Sequence, residues 1–276
     1  MNILIVDGNE KKASEQYIQN NMPTQYEVYK DVLEKLLYED SNIVTLHPAC
    51  HEKYIPLGVN LDDFDGIVWT GSVLNIYDKK PSIERQIELA KELLDKKNKI
   101  FGSCWGLQVL TTAAGGKVRR NPKGLEAVIA KNITLNKDGI DHPMYKNKTN
   151  VFDSFCWHYD EVEDLPDNST VLAYNDMSSI QSLSFFKGNS SVWAVQYHPE
   201  SNPQWISGLM KQRKSLLLDE CVYNSKDEFN ELYLYLSNPN KYHYLKDKFS
   251  ISETLILNNI HTLELSNWLK SLVENR

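Results

Sequence analysis

The sequence predicts an α/β protein: an open, mostly parallel sheet with helices on both faces, followed by a C-terminal helical extension. Three observations predict it. Short apolar runs alternate with helical patterns as far as about Lys117, the arrangement that folds into a parallel sheet covered by helices. The first of those runs is continuous rather than alternating, the mark of a strand buried on both faces. From Pro203 onward the apolar spacing returns to threes and fours, as on one face of a helix.

Taken in order, Ile3-Leu4-Ile5-Val6 is the first strand, and a helical pattern runs from Gln25 to Leu37. Ile43 to Leu46 is the second strand, and Ile67-Val68-Trp69 the third, ending at Thr70-Gly71-Ser72. Ile83, Ile87, Ala90 and Leu94 recur at spacings of four, three and four, which predicts an amphipathic helix. Ile100-Phe101 is the fourth strand and leads into Gly102-Ser103-Cys104-Trp105-Gly106. After Lys117 the segments become β-rich: 129–135, 149–155, 171–174, 180–186 and 192–197, most of them separated by turn residues. Ile256, Ile260 and Leu263, then Leu265, Leu269 and Leu272, predict helix in the tail, which Asn238-Pro239-Asn240 interrupts. A tail of this size is small for a second catalytic domain. The expected division is therefore 1–202 for the main domain and 203–276 for a helical extension packed on it.

Composition narrows the function. Thirty Lys and Arg against 37 Asp and Glu leave a net charge of −7, which excludes the cationic surface that nucleic acids require. Lys96-Lys97 and Arg119-Arg120 are short enough to be solvated surface. No apolar run approaches the length of a membrane span, and the N-terminus lacks the pattern of a signal peptide. Cysteines at 50, 104, 156 and 221 form no C-x-x-C pair and no zinc-like spacing. The expected compartment is cytoplasmic, with reduced thiols.

Chemistry concentrates at Gly102-x-Cys104-x-Gly106, between an apolar strand and an apolar helix. Such a sharp strand-to-helix turn presents a nucleophile in strained backbone above a helix N-terminus, whose partial positive charge favours thiolate. Taken alone, a lone cysteine is more often a buried small hydrophobe; the frame tips the balance. The N–H of Trp105 and a backbone N–H near Gly71, where the absence of a Cβ permits close approach, are the expected oxyanion donors. Of seven histidines, His198 stands out: it closes a strand, and Glu200 follows across Pro199. That carboxylate can hold one imidazole nitrogen and leave the other for the thiol. His158, in Trp157-His158-Tyr159-Asp160, competes for the role. His47, His51, His142, His243 and His261 have no comparable setting.

Gly102-Ser-Cys-Trp-Gly-Leu-Gln108 and Gln196-Tyr-His-Pro-Glu200 resemble the two signature blocks of class I (triad) glutamine amidotransferases. The intervening Trp157-His158-Tyr159-Asp160-x-Val162 and Leu165-Pro166 are similar to the stand-alone GMP-synthase-like branch. The resemblance covers about residues 1 to 200. It implies a flavodoxin-like sheet, a Cys104–His198–Glu200 triad, and Gly71 and Trp105 as oxyanion donors. It also implies that Gln108 and Trp157, His158, Tyr159 and Asp160 bind substrate. No cofactor and no metal are implied. The family's segment has glycine where Tyr159 stands, so the pocket mouth is expected to be narrower or shaped for another group.

The implied activity is glutaminase or glutamine amidotransferase, releasing ammonia through a γ-glutamyl thioester. The stand-alone plant-type γ-glutamyl peptidases supply an alternative, a γ-glutamyl peptidase or γ-glutamyl-amine hydrolase with the same triad. No synthetase domain with a phosphate loop is present in this sequence. The implied partners are thus glutamine or a γ-glutamyl substrate and an ammonia-accepting enzyme in trans; a homo-oligomer is also compatible with the resemblance. A non-catalytic binding subunit is the reading from another class. Loss of the cysteine, histidine or glutamate would mark it, and all three are present.

Overall fold

The computed structural model describes residues 1–37 and 41–273; the end of the expected extension, 274–276, lies outside the described residues. Nine strands form one mixed sheet. Its first half is parallel: β2 (Asn42–Leu46), β1 (Asn2–Val6), β3 (Gly66–Trp69), β4 (Lys99–Ser103) and β11 (Ser190–Val195) lie side by side in that order. Its second half continues antiparallel through β10 (Ser182–Lys187), β9 (Ser169–Tyr174), β6 (Glu126–Leu135) and β7 (Val151–His158). A separate ribbon pairs β5 (Lys117–Arg120) with β8 (Asp160–Asp164).

The continuous apolar run of β1 is inaccessible from Ile3 to Val6 because helices cover both faces. On one face Leu4 and Val6 pack with α3 (Pro81–Asp95) and α4 (Trp105–Ala113). On the other Ile3 and Ile5 pack with Tyr29 and Leu33 of α2 (Gln25–Leu36). The local signals match these elements. Thr24 and Glu27 cap α2 through the Glu27 carboxylate, which accepts from the Thr24 N–H at 2.7 Å. Pro81 opens α3, where the missing N–H costs nothing.

The ribbon and α1 (Lys11–Gln19) are absent from the sequence expectations. Their sequences are mostly polar, so apolar periodicity gives no sign of them. Cross-strand charge pairs mark the ribbon instead: Lys117–Asp164 at 2.5 Å and Arg119–Glu161 at 3.0 Å. Between β6 and β7 lie the short α5 (Lys137–Asp141) and a 3-10 turn over Pro143–Tyr145.

The tail is helical but more broken than its spacing predicts. It comprises α6 (Pro203–Gln212), α7 (Lys214–Asp219), α8 (Lys226–Ser237), α9 (Glu253–Ile256), α10 (Asn258–His261) and α11 (Leu263–Val273). Leu257 and Thr262 interrupt the run that apolar spacing joins, because Leu257 is extended (ψ 104°) between two single-turn helices. Leu265, Trp268, Leu269 and Leu272 of α11 enter the same cluster as Ile3, Val68 and Phe101. The helices α6 and α8 instead pack against Val128, Phe155 and Trp157.

Trp268, 1% exposed and 6.0 Å from the Phe101 ring, anchors the tail to the sheet. Trp268→Ala is expected to lower stability by about 3–5 kcal/mol, the cost of deleting a large buried aromatic side chain. Urea unfolding with a single transition would show this; a loss under about 1 kcal/mol would mean the tail folds independently of the core.

Candidate active site

The elbow expected at residues 102–106 is present. Cys104 adopts φ 52° and ψ −103°, a region that costs a non-glycine residue strain, immediately before the first turn of α4. The flanking glycines let the turn close. A Cβ on Gly106 would stand 2.5 Å from the Trp69 carbonyl oxygen, and one on Gly102 would stand 2.8 Å from the Gly106 carbonyl carbon. The α4 helix therefore sits against the end of β3 with no room for a side chain at either position. Cys104 is 4% exposed and lines a cleft of about 100 Å³. Its Sγ lies 3.6 Å from the Trp157 carbonyl oxygen.

His198 arrives from the neighbouring strand. Cys104 N–H donates to Val195 O at 2.8 Å where β4 and β11 end together, and the chain then carries His198 to the thiol. His198 Nδ1 is 2.7 Å from Glu200 Oε1, and both side chains are 3% exposed. Burial alone would lower the imidazole pKa. The Glu200 carboxylate overrides it, joined by the hydrogen bond between the ring and the Cys104 side chain, and the pKa is pushed up to about 10. Both neighbours favour the protonated ring. Sulfur, imidazole and carboxylate are brought together as the sequence leads one to expect.

His158, the competing histidine, is engaged elsewhere. Its Nε2 lies 2.8 Å from Glu126 Oε2, and its Nδ1 lies 3.0 Å from the Asp160 carbonyl oxygen. Its residue still borders the cleft, as do Gln108, Trp157, Tyr159 and Asp160. The Tyr77 hydroxyl donates to Asp160 Oδ1 at 3.0 Å, against the burial that raises this carboxyl's pKa. Tyr159 forms one side of the mouth; its hydroxyl donates to Glu220 Oε1 at 3.0 Å and Arg120 covers its ring at 4.5 Å. Arg120 is solvent-exposed, as expected, while it stacks on Tyr159 of the cleft. Gly71 faces the imidazole: a Cβ there would be 2.7 Å from His198 Cε1. Trp105 begins α4, so its N–H belongs to the first turn, where helical N–H groups lack intrahelical partners.

A family model for glutamine amidotransferase class-I matches residues 25–210, about two thirds of the chain. The chain belongs to this family. Among curated relatives, a γ-glutamyl-L-1-hydroxyisopropylamide hydrolase of a Pseudomonas species is 32% identical over 231 residues, 79% of this chain and 75% of that one. One of the subunits of a glutamine-hydrolysing GMP synthase from Methanococcus vannielii is 31% identical over 120 residues, 44% of this chain and 60% of that one. A crystal structure of a glutamine amidotransferase from Thermotoga maritima superposes with a TM-score of 0.69 at 16% identity, covering 99% of this chain and 98% of that one. The likeness in fold to that structure thus covers the helical tail as well as the sheet.

Around this site the structure adds residues that the sequence expectations lack. Ser103 Oγ donates to Glu200 Oε2 at 3.2 Å, and the Tyr29 hydroxyl is hydrogen-bonded to Ser103 Oγ. Both carboxylate oxygens of Glu200 are therefore engaged, one by the imidazole and one by this chain of hydroxyls. The Tyr197 hydroxyl donates to Glu264 Oε1 at 2.8 Å, and Glu264 Oε2 binds Lys148 Nζ at 2.9 Å in a fully buried pair. A polar residue at the end of an otherwise apolar strand was the one available sign of Ser103. Nothing local marks Tyr29, Glu264 or Arg213, which also lines the cleft.

Ser103→Ala would remove the hydroxyl that Glu200 Oε2 and the Tyr29 hydroxyl share in a buried site. A stability loss of about 1–3 kcal/mol is expected, measured by denaturant unfolding. No loss would show that these oxygens find other partners.

Proposed function

We propose that this chain hydrolyses γ-glutamyl amides through a thioester on Cys104, with His198 moving the protons and Glu200 orienting His198. The observation that carries this reading is the buried His198–Glu200 pair set against a cysteine held in left-handed backbone at a helix N-terminus. The helix terminus and the imidazolium place positive charge beside the sulfur.

The steps follow from that geometry. Sulfur attacks the γ-carbonyl carbon, forming a C–S bond and a tetrahedral oxyanion, for which the backbone N–H groups of Gly71 and Trp105 are the proposed donors. The C–N bond breaks as the imidazolium proton passes to the departing amine. Water then attacks the thioester carbonyl, giving its proton to the now neutral His198. The C–S bond breaks, releasing glutamate and restoring sulfur and imidazolium. Gln108 and the segment Trp157 to Asp160 are the proposed walls for the γ-glutamyl half. Residues 203–276 are proposed to work as part of the same unit, since they supply Arg213 to the cleft.

The similarity to a γ-glutamyl-L-1-hydroxyisopropylamide hydrolase supports an amine other than ammonia as leaving group. A second reading, glutaminase serving a separate synthetase in trans, has support from the similarity to the Methanococcus GMP synthase component. Glutamate release from glutamine, γ-glutamyl alkylamides and γ-glutamyl dipeptides by the protein alone tests both. Release from none of them would overturn the hydrolase reading.

Cys104→Ala is expected to reduce turnover at least about 10³-fold with the fold intact by circular dichroism, and Glu200→Gln to cost clearly less. Near-normal rates for Cys104→Ala would reject the thioester. The pH profile has a defined sign. The imidazolium is the acid of the first step, so kcat/KM should stay level through neutral pH and fall as pH rises towards about 10. In Glu200→Gln, burial acts on the ring without the carboxylate that offsets it. The alkaline limb should therefore move to lower pH; an unmoved limb would assign it to another group.

A further inference from the structure

Arg213 is a guanidinium at the cleft that none of the proposed steps uses. It lies at the kink between α6 and α7, three residues past the stretch matched by the family model. Its N–H donates to Leu209 O at 3.0 Å, and its carbonyl accepts from Leu217 N at 3.1 Å, so the backbone on both sides is fixed by helix. Its guanidinium carbon lies 4.9 Å from the centroid of the Trp157 ring. Stacking of this kind holds the plane of the fork while leaving its N–H edge available.

Two features separate it from the other arginines near the site. Arg119 is bound to Glu161 and Glu163, and Arg120 is solvent-exposed over Tyr159. Arg213 is half-buried, and among the described residues no carboxylate lies within ion-pair distance of it. It also borders two spaces at once: the cleft with Cys104 and Gln108, and a narrow recess with His198, Gln25 and Trp205. A half-buried cation bordering a cleft without a counter-charge is a site for an anion that arrives with the ligand.

The direction of the chemistry says which anion. His198 protonates the departing amine, so the substituent on that amine leaves the thiol on the His198 side. The γ-glutamyl half occupies the other direction, along Gln108 and Trp157 to Asp160. The recess beside His198 is narrow, walled by Tyr17, Trp205 and Leu209, so the substituent must be compact. We infer that Arg213 binds a carboxylate carried by the leaving amine, so that the preferred substrates are γ-glutamyl derivatives of small amino acids. This rests on the hydrolase reading above and adds to it the class of leaving group.

γ-Glutamylglycine and γ-glutamylglycinamide differ only in that carboxylate, so the pair tests the inference on the full-length protein without a mutation. The wild type should favour the acid over the amide roughly 10–100-fold in kcat/KM, mainly through KM, as expected of a charge-assisted hydrogen bond to a carboxylate. Arg213→Met should bring the ratio close to one, and Arg213→Lys should keep part of it. Unfolding curves for both variants separate recognition from folding. A wild-type ratio near one, or equal loss on both substrates in the Met variant, would overturn the role given to Arg213 while leaving the hydrolase reading intact. Release of glutamate from no γ-glutamyl compound would instead overturn both.

Discussion

The register between β4 and β11 is the constraint on which the site depends. Ser103 pairs with Val195, and the two parallel strands end side by side, tied by the hydrogen bond from Cys104 N–H to Val195 O. One strand then turns sharply into α4 and leaves a thiol at the turn; the other runs on and delivers His198 and Glu200. A thiol and an imidazole 94 residues apart in sequence meet because two backbones stop at the same level. Strand ends at the carboxyl edge of a parallel sheet are where such folds place their ligands. The turn itself is closed by absence of side chains, since Gly102 and Gly106 allow helix and strand to touch.

Holding His198 in place involves the whole chain. Glu200 is gripped from its far side by Ser103 and, through Ser103, by Tyr29 of α2. Tyr197, the neighbour of His198, is tied to Glu264 of α11, and Glu264 to Lys148. Lys148 also donates to the Ile260 carbonyl at 3.1 Å and lies 4.7 Å from the Phe152 ring centroid. An ion pair sealed this completely is a poor source of net stability, but breaking it by losing one member leaves a bare charge in the core. It therefore acts as a register pin between the last helix and the strand that presents the imidazole.

The parallel half of the sheet was legible in the sequence because strands buried on both faces leave continuous apolar runs and their helices leave regular spacing. Cys104, His198 and Glu200 were legible because the elbow and the His-Pro-Glu sequence are local. The polar β5–β8 ribbon was not, since charge pairs across strands replace apolar alternation there. Nor were Tyr29, Glu264 and Arg213. Each is held at or near the site by a partner more than 50 residues away in sequence, so no spacing rule points to it. The split of the tail at Leu257 was hidden for a related reason: apolar residues on successive short helices can keep the rhythm of one long helix while the backbone between them extends.

The anchorage of Tyr197 on α11 makes the carboxyl-terminal segment a control point for the active centre. Nicking, fusing or loosening that helix would disturb the aim of the imidazole before the nine strands come apart. Loss of function on warming would then precede melting, and a molecule that gripped the last helix would act as a remote brake without ever touching the cleft.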